Sequence, residues 1–162
     1  MFISRRNFLK VGFLSSAVIL MDGCSVFGVT TPIQTLSVMH HDLFPYIQKL
    51  RINTTSYMHI VFNHSRISDE NKKFLKNGVK WLNEEAMKIH KQEYTKLSSL
   101  QRQNLLKKVT QTEWGESFVY DVMNYMFEAM LGDPVYEGNN HEMGWKWLNF
   151  QGGNPRPKKA FV

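Results

Sequence analysis

The sequence predicts an all-α fold: a compact helical domain ending in a long loop rich in aromatic residues and glycine, with an export signal in front. Three observations carry the helical class. Leu75, Val79, Leu82, Ala86 and Ile89 recur every three or four residues behind Ser68, which places them on one stripe of a capped helix. Phe118, Val122, Tyr125 and Ala129 repeat the pattern after Thr112. Between them, Ser98-Ser-Leu-Gln101 has the spacing of a capping box.

Taken in chain order, the first element is the leader. Ser4-Arg5-Arg6-Asn7-Phe8-Leu9-Lys10 is basic and runs into the apolar stretch from Val11 to Met21, the layout of a bacterial export signal. Ser4, Arg5, Arg6, Phe8, Leu9 and Lys10 match the twin-arginine pattern, whose pathway carries proteins folded in the cytoplasm. A short membrane anchor is the alternative, but eleven helical residues rise only about 17 Å across a hydrocarbon layer of about 30 Å. Cys24 follows Leu20-Met21-Asp22-Gly23, a partial lipoprotein box weakened by Asp22. Lipid attachment at Cys24 competes with ordinary cleavage nearby and with a free cysteine in a linker. This divides the chain into a twin-arginine segment over 1–23, a tether over 24–36, a helical domain over 37–153 and an exposed tail over 154–162.

Within the domain, a short helix runs from about Ile33 or Gln34 towards Leu43, and Pro45 interrupts or restarts it before Leu50. Tyr57 to Phe62 is either a short strand or a buried helical turn, because its length fits both. The helix after Ser68 opens with Asp69 and Glu70, which suits the positive end of the helix dipole. Leu105, Leu106 and Val109 give a shorter helix after Ser98. In the helix after Thr112, Trp114, Val119, Met126 and Met130 widen the apolar stripe, so both sides pack against the core or against a partner. It stops near Gly132, since Pro134 draws Asp133 out of helical geometry. The segment from Gly132 to Gly153 is dense in turns and large aromatics. Tyr136, Trp145, Trp147 and Phe150 offer contact area with few rotors to freeze, Asn139, Asn140 and Lys146 offer a polar rim, and the glycines offer unusual backbone angles.

Composition narrows the function. The chain has 162 residues, 43% apolar and 13% aromatic, too apolar for a disordered tail. From Cys24 it has 139 residues, enough to bury about two thirds of its extended surface. Of the formal charge of +6, Arg5, Arg6, Lys10 and Asp22 supply +2, leaving +4 on the remainder. That excess is scattered, with Lys72, Lys73 and Lys76 close to Glu70, Glu84 and Glu85, so nucleic acid is not an expected partner. One cysteine excludes an intrachain disulfide, a C-x-x-C-H haem attachment and an all-cysteine metal site built from this chain alone. His40, His41, Asp42, His59, His64, His90 and His141 form no H-E-x-x-H pattern. Asp133, His141 and Glu142 are better explained as a loop-shaping residue before Pro134 and two ordinarily exposed side chains than as an acid-base cluster. No G-x-G-x-x-G occurs. No catalytic, cofactor-binding or metal residue is therefore assigned.

The leader, Leu43-Phe44-Pro45, Asp133-Pro-Val-Tyr-Glu-Gly-Asn139 and Gly144-Trp-Lys146 together resemble the gluconate 2-dehydrogenase subunit 3 family over nearly the whole chain. Glu137 stands where that family commonly has glycine, and Gln151 where proline is frequent. The resemblance implies a non-catalytic small subunit of a membrane-associated periplasmic dehydrogenase for sugars or sugar acids. Its partners would be a large FAD-bearing subunit and a multihaem cytochrome c, so FAD and haem c belong to those partners. It implies that this chain escorts the folded catalytic subunit through the twin-arginine translocase and stabilises it. The expected partner contacts are Asp133, Pro134, Tyr136, Gly138, Asn139, Gly144, Trp145, Lys146, Trp147 and Phe150. The alternative is a periplasmic lipoprotein that binds some unrelated protein.

Overall fold

The computed structural model describes residues 30–161. The twin-arginine motif, Cys24 and the tether up to residue 29 lie outside the described residues. Among the described residues six α-helices follow in order: α1 (Pro32–Leu43), α2 (Thr54–Asn63), α3 (Asp69–His90), α4 (Ser99–Val109), α5 (Glu113–Leu131) and α6 (Met143–Trp147). Short 3₁₀ turns stand at Pro45–Gln48, Tyr94–Lys96, Pro134–Tyr136 and Asn140–Glu142. No strand occurs among the described residues, so the all-α expectation holds.

The helix starts are written locally. Asn53 accepts from the Ser56 amide at 3.0 Å, and this cap resolves Tyr57 to Phe62 as helix rather than strand. Ser68 caps α3 through the Asn71 amide, and Lys91, at φ 58°, closes its other end. Ser98 and Gln101 form the reciprocal capping box of α4. Thr112 accepts from Gly115 at the start of α5.

Packing produces two apolar clusters. The larger joins Leu36 and Met39 of α1, Leu75, Val79 and Leu82 of α3, Leu105 of α4 and Phe118 and Val122 of α5. The smaller joins Ile47, Leu50 and Ile52 to Met126, Ala129 and Met130 at the far end of α5. Helix α5 thus serves both clusters, which accounts for its broad apolar face without a partner. At the crossing of α3 and α5, Gly78 lies under the Phe118 ring, whose nearest atom would be 2.1 Å from an added Cβ.

Three boundaries differ from expectation. Helix α1 begins at Pro32, a residue suited to a first helical position, and Thr35 and Leu36 are buried, so residues 32–36 belong to the domain rather than the tether. Ala86 is the last buried residue of α3, and Ile89 is exposed because the final turn runs beyond the core. The segment after Gly132 is built from 3₁₀ turns and α6 rather than from loop alone. No helix among the described residues is long and apolar enough to cross a membrane.

Candidate functional site

The C-terminal segment is folded back on the end of α5 by a small set of polar bolts. The Gly132 amide closes α5 on the Glu128 carbonyl at 2.8 Å. Asp133 then accepts from the Val135 amide at 2.9 Å and starts the first turn. Asn139 is buried. Its amide nitrogen donates to the Gly132 carbonyl at 3.1 Å, and its oxygen accepts from the Gly144 amide at 2.8 Å, tying both sides of the segment together. The Gly138 carbonyl accepts from the Asn53 amide at 2.9 Å, which fastens the segment to the start of α2.

The glycines here serve close approach. A Cβ at Gly144 would sit 1.8 Å from the Met130 carbonyl oxygen, and one at Gly138 2.4 Å from that of Ala129. The left-handed backbone falls instead on Glu137, His141, Glu142 and Asn149. Glu137, with φ 62°, is in the conformation that favours glycine.

Trp145 is only 7% exposed, and its indole N–H donates to the Leu131 carbonyl at 2.6 Å. The Arg156 guanidinium lies 4.6 Å from its ring. Arg156 also pairs with Asp133 at 2.7 Å and with Glu142 at 2.9 Å. The hydrogen bond from Arg156 holds the Asp133 carboxyl below the ordinary carboxylate range. The tail is therefore docked at Arg156 rather than wholly exposed, and Asp133 and Glu142 are engaged by a guanidinium rather than arranged with His141 as an acid-base cluster.

The expected contact residues consequently fall into groups. Gly138, Asn139, Gly144 and Trp145 are buried within the chain, so Asn139 is not part of a polar rim. Asp133, Pro134 and Tyr136 are half-buried, while Lys146, Trp147 and Phe150 are exposed. Lys146 donates to the His141 carbonyl at 2.9 Å. Trp147 stacks with two rings not assigned as contacts from sequence: Phe44 at 5.6 Å and Tyr46 at 6.1 Å between centroids. Phe44 and Tyr46 are themselves 6.3 Å apart, and the Lys49 ammonium lies 5.1 Å from the Tyr46 ring centre. The signal available in the sequence was Phe44-Pro45-Tyr46, two aromatics around a proline that ends a helix.

A groove of about 660 Å³ runs between α2 and the end of α5, lined by Tyr57, Val61, Ile67, Tyr125, Phe127 and Tyr136 among others. Across it the Tyr57 hydroxyl donates to Glu128 at 2.8 Å; burial first, then Glu128, pushes that hydroxyl's pKa up. In the interior, Asp42 accepts from the Tyr94 hydroxyl at 2.6 Å and from Arg102 at 2.7 Å. Burial, then the hydrogen bond to Asp42, raises the Tyr94 pKa. Neither ring nitrogen of His40 has a hydrogen-bond partner. Burial pushes its pKa down to about 4, opposed by the nearby Val122 backbone. Among the described residues no three His, Cys, Asp or Glu side chains gather as metal ligands would. What the geometry offers on its surface is contact area: an aromatic cluster held by a rigid, bolted segment.

Neither the comparison with curated proteins nor that with solved structures gives a match. The family model described as gluconate 2-dehydrogenase subunit 3 matches residues 36–153, from Leu36 within α1 through the aromatic segment. The chain belongs to the gluconate 2-dehydrogenase subunit 3 family.

Proposed function

We propose that this chain is the non-catalytic small subunit of a membrane-associated periplasmic FAD-dependent dehydrogenase for a sugar or sugar acid. It escorts the folded flavin subunit through twin-arginine export and stabilises it afterwards. The family match over residues 36–153 carries this reading; membership of a subunit family fits a chain that acts beside other subunits. Two features support it. The leader carries Arg5 and Arg6 ahead of an apolar stretch, and the exposed aromatics near the C-terminus suit protein contact. The flavin and the haem c belong to the partners, and Cys24 is a candidate for lipid attachment.

The reading is tested by affinity purification of the full chain from envelope fractions, with flavin absorbance and dye-linked dehydrogenase activity recorded. Co-purification of a flavoprotein with activity is expected; recovery of the chain without one would sink the assignment. The escort role has its own test. Replacing Arg5 and Arg6 together by lysine should leave the flavin subunit in the cytoplasm, and normal export of that subunit would rule the role out.

A further inference from the structure

Trp145 of Gly144-Trp-Lys146, one of the docking residues expected from the sequence, is turned inside the chain: its ring is covered and its N–H is bonded to the Leu131 carbonyl. Two residues later, Trp147 is 45% exposed and meets Phe44 and Tyr46, the latter 42% exposed. These three rings come from segments far apart in sequence. The fold fixes both: the turn Pro45–Gln48 is anchored through buried Ile47, and α6 through buried Gly144 and Trp145. Aromatic rings so held lose little freedom on binding, which suits them to anchor a protein interface.

Charge completes the description. The Lys49 ammonium lies beside the Tyr46 ring, Arg51 and Lys146 of the same two segments are also exposed, and neither 44–51 nor 143–150 contains a carboxylate. Of the flanking carboxylates, Asp42 is buried against Tyr94 and Arg102, and Glu142 is paired with Arg156. We infer that the Phe44–Tyr46–Trp147 cluster is the surface by which this chain grips the flavin subunit, and that it fits an apolar recess on that subunit rimmed with carboxylates. This rests on the small-subunit reading above. Complementary charge speeds encounter and fixes orientation, while the desolvated aromatics supply the affinity.

The test measures binding of the full chain to the purified flavin subunit for the wild type, Trp147→Ala, the double variant Lys49→Glu with Lys146→Glu, and Leu100→Ala as an exposed apolar control elsewhere. Expected are a weakening of roughly thirtyfold or more for Trp147→Ala, a clear loss for the charge reversal, wild-type binding for the control, and affinity that falls as salt screens the rim. Melting of each free variant accompanies the series. Should Trp147→Ala melt early, the charge reversal, confined to exposed side chains, carries the decision. Wild-type binding by both variants would overturn the surface while leaving the subunit reading in place. A wild-type chain that does not bind the flavin subunit would overturn both. Sedimentation with vesicles containing anionic lipid is the remaining arm: binding to vesicles that the variants abolish, with binding to the flavin subunit intact, would assign the cluster to the membrane surface and overturn the inference.

Discussion

His40 lies in the core of α1 with no exposed surface and with both ring nitrogens lacking hydrogen-bond partners. Burial holds it neutral, with its pKa pushed down to about 4 from an ordinary 6.5. An unfolded chain therefore binds more protons than the folded one between those values, so stability is full above about pH 6.5 and falls as pH drops towards 4. A gap of that size is worth up to about 3 kcal/mol. His41, also lowered chiefly by burial, contributes in the same direction, whereas Asp133, held low by Arg156, loses its contribution only in more acid solution. His40→Leu, which replaces the ring by an apolar side chain, should flatten much of this slope in urea titrations between pH 7 and pH 4.5. An unchanged slope would place the sensitivity elsewhere. At this scale the sequence was least legible. Nothing in Gly144-Trp-Lys-Trp147 tells which tryptophan faces inward; that is decided by the Leu131 carbonyl at the end of α5, a partner fourteen residues back in the chain.

Among the elements, the helices with periodic stripes were the legible ones, because caps and apolar spacing are local. Ser68, Ser98 and Thr112 all cap as their positions suggest. Helix α1 was not legible to the same degree, since it buries Thr35, His40 and Asp42 beside Leu36 and Met39, polar residues that a sequence stripe assigns to solvent. Asp42 is tolerable there only because Tyr94 and Arg102, from distant parts of the chain, converge on it. Asp42→Asn should cost about 2 kcal/mol or more. That is below the roughly 3–5 kcal/mol of breaking a fully buried pair, because the Arg102 side chain keeps some contact with water. Tyr94→Phe should cost nearer 1 kcal/mol, removing one hydrogen bond from a carboxylate that retains its arginine. Unfolding curves that rank the two the other way would make the tyrosine the chief partner. The crossing of α3 and α5 gives a second test. Glycine within a helix ordinarily costs about 1 kcal/mol relative to alanine, so Gly78→Ala would stabilise an isolated α3. In this fold the new Cβ meets the Phe118 ring, and a net loss of about 1–3 kcal/mol is expected. A gain in denaturant midpoint would show that the ring can move aside.

Across the whole molecule, α5 divides the labour. Its first half, through Phe118 and Val122, belongs to the main core, and its second half, through Met126, Ala129 and Met130, supports the smaller cluster. Ile47 and Leu50 complete that smaller cluster, so the exposed rings of Tyr46 and Trp147 stand on a platform separate from the main core. The tail closes the arrangement. Asn154-Pro-Arg-Pro-Lys-Lys159 reads as an exposed, charged end, and the sequence holds no hint that Arg156 pairs with Asp133 twenty-three residues earlier. Yet Arg156 joins the two ends of the segment, at Asp133 and Glu142, and lies over Trp145. Ion pairs that keep contact with water add little to global stability, and Arg156 and Glu142 both do, so the effect of Arg156 should be local. In Arg156→Ala, amides from Asp133 to Phe150 and the Trp145 indole N–H should exchange faster with deuterium, while the amides of α3 and the melting temperature stay close to wild type. Unchanged exchange in that segment would show that Asn139 and the Leu131 carbonyl hold it without the tail. Faster exchange throughout the chain would instead make the segment part of the cooperative core. If the segment alone loosens, binding through Trp147 should weaken as well, since a partner would then have to order the platform that Arg156 now holds in place.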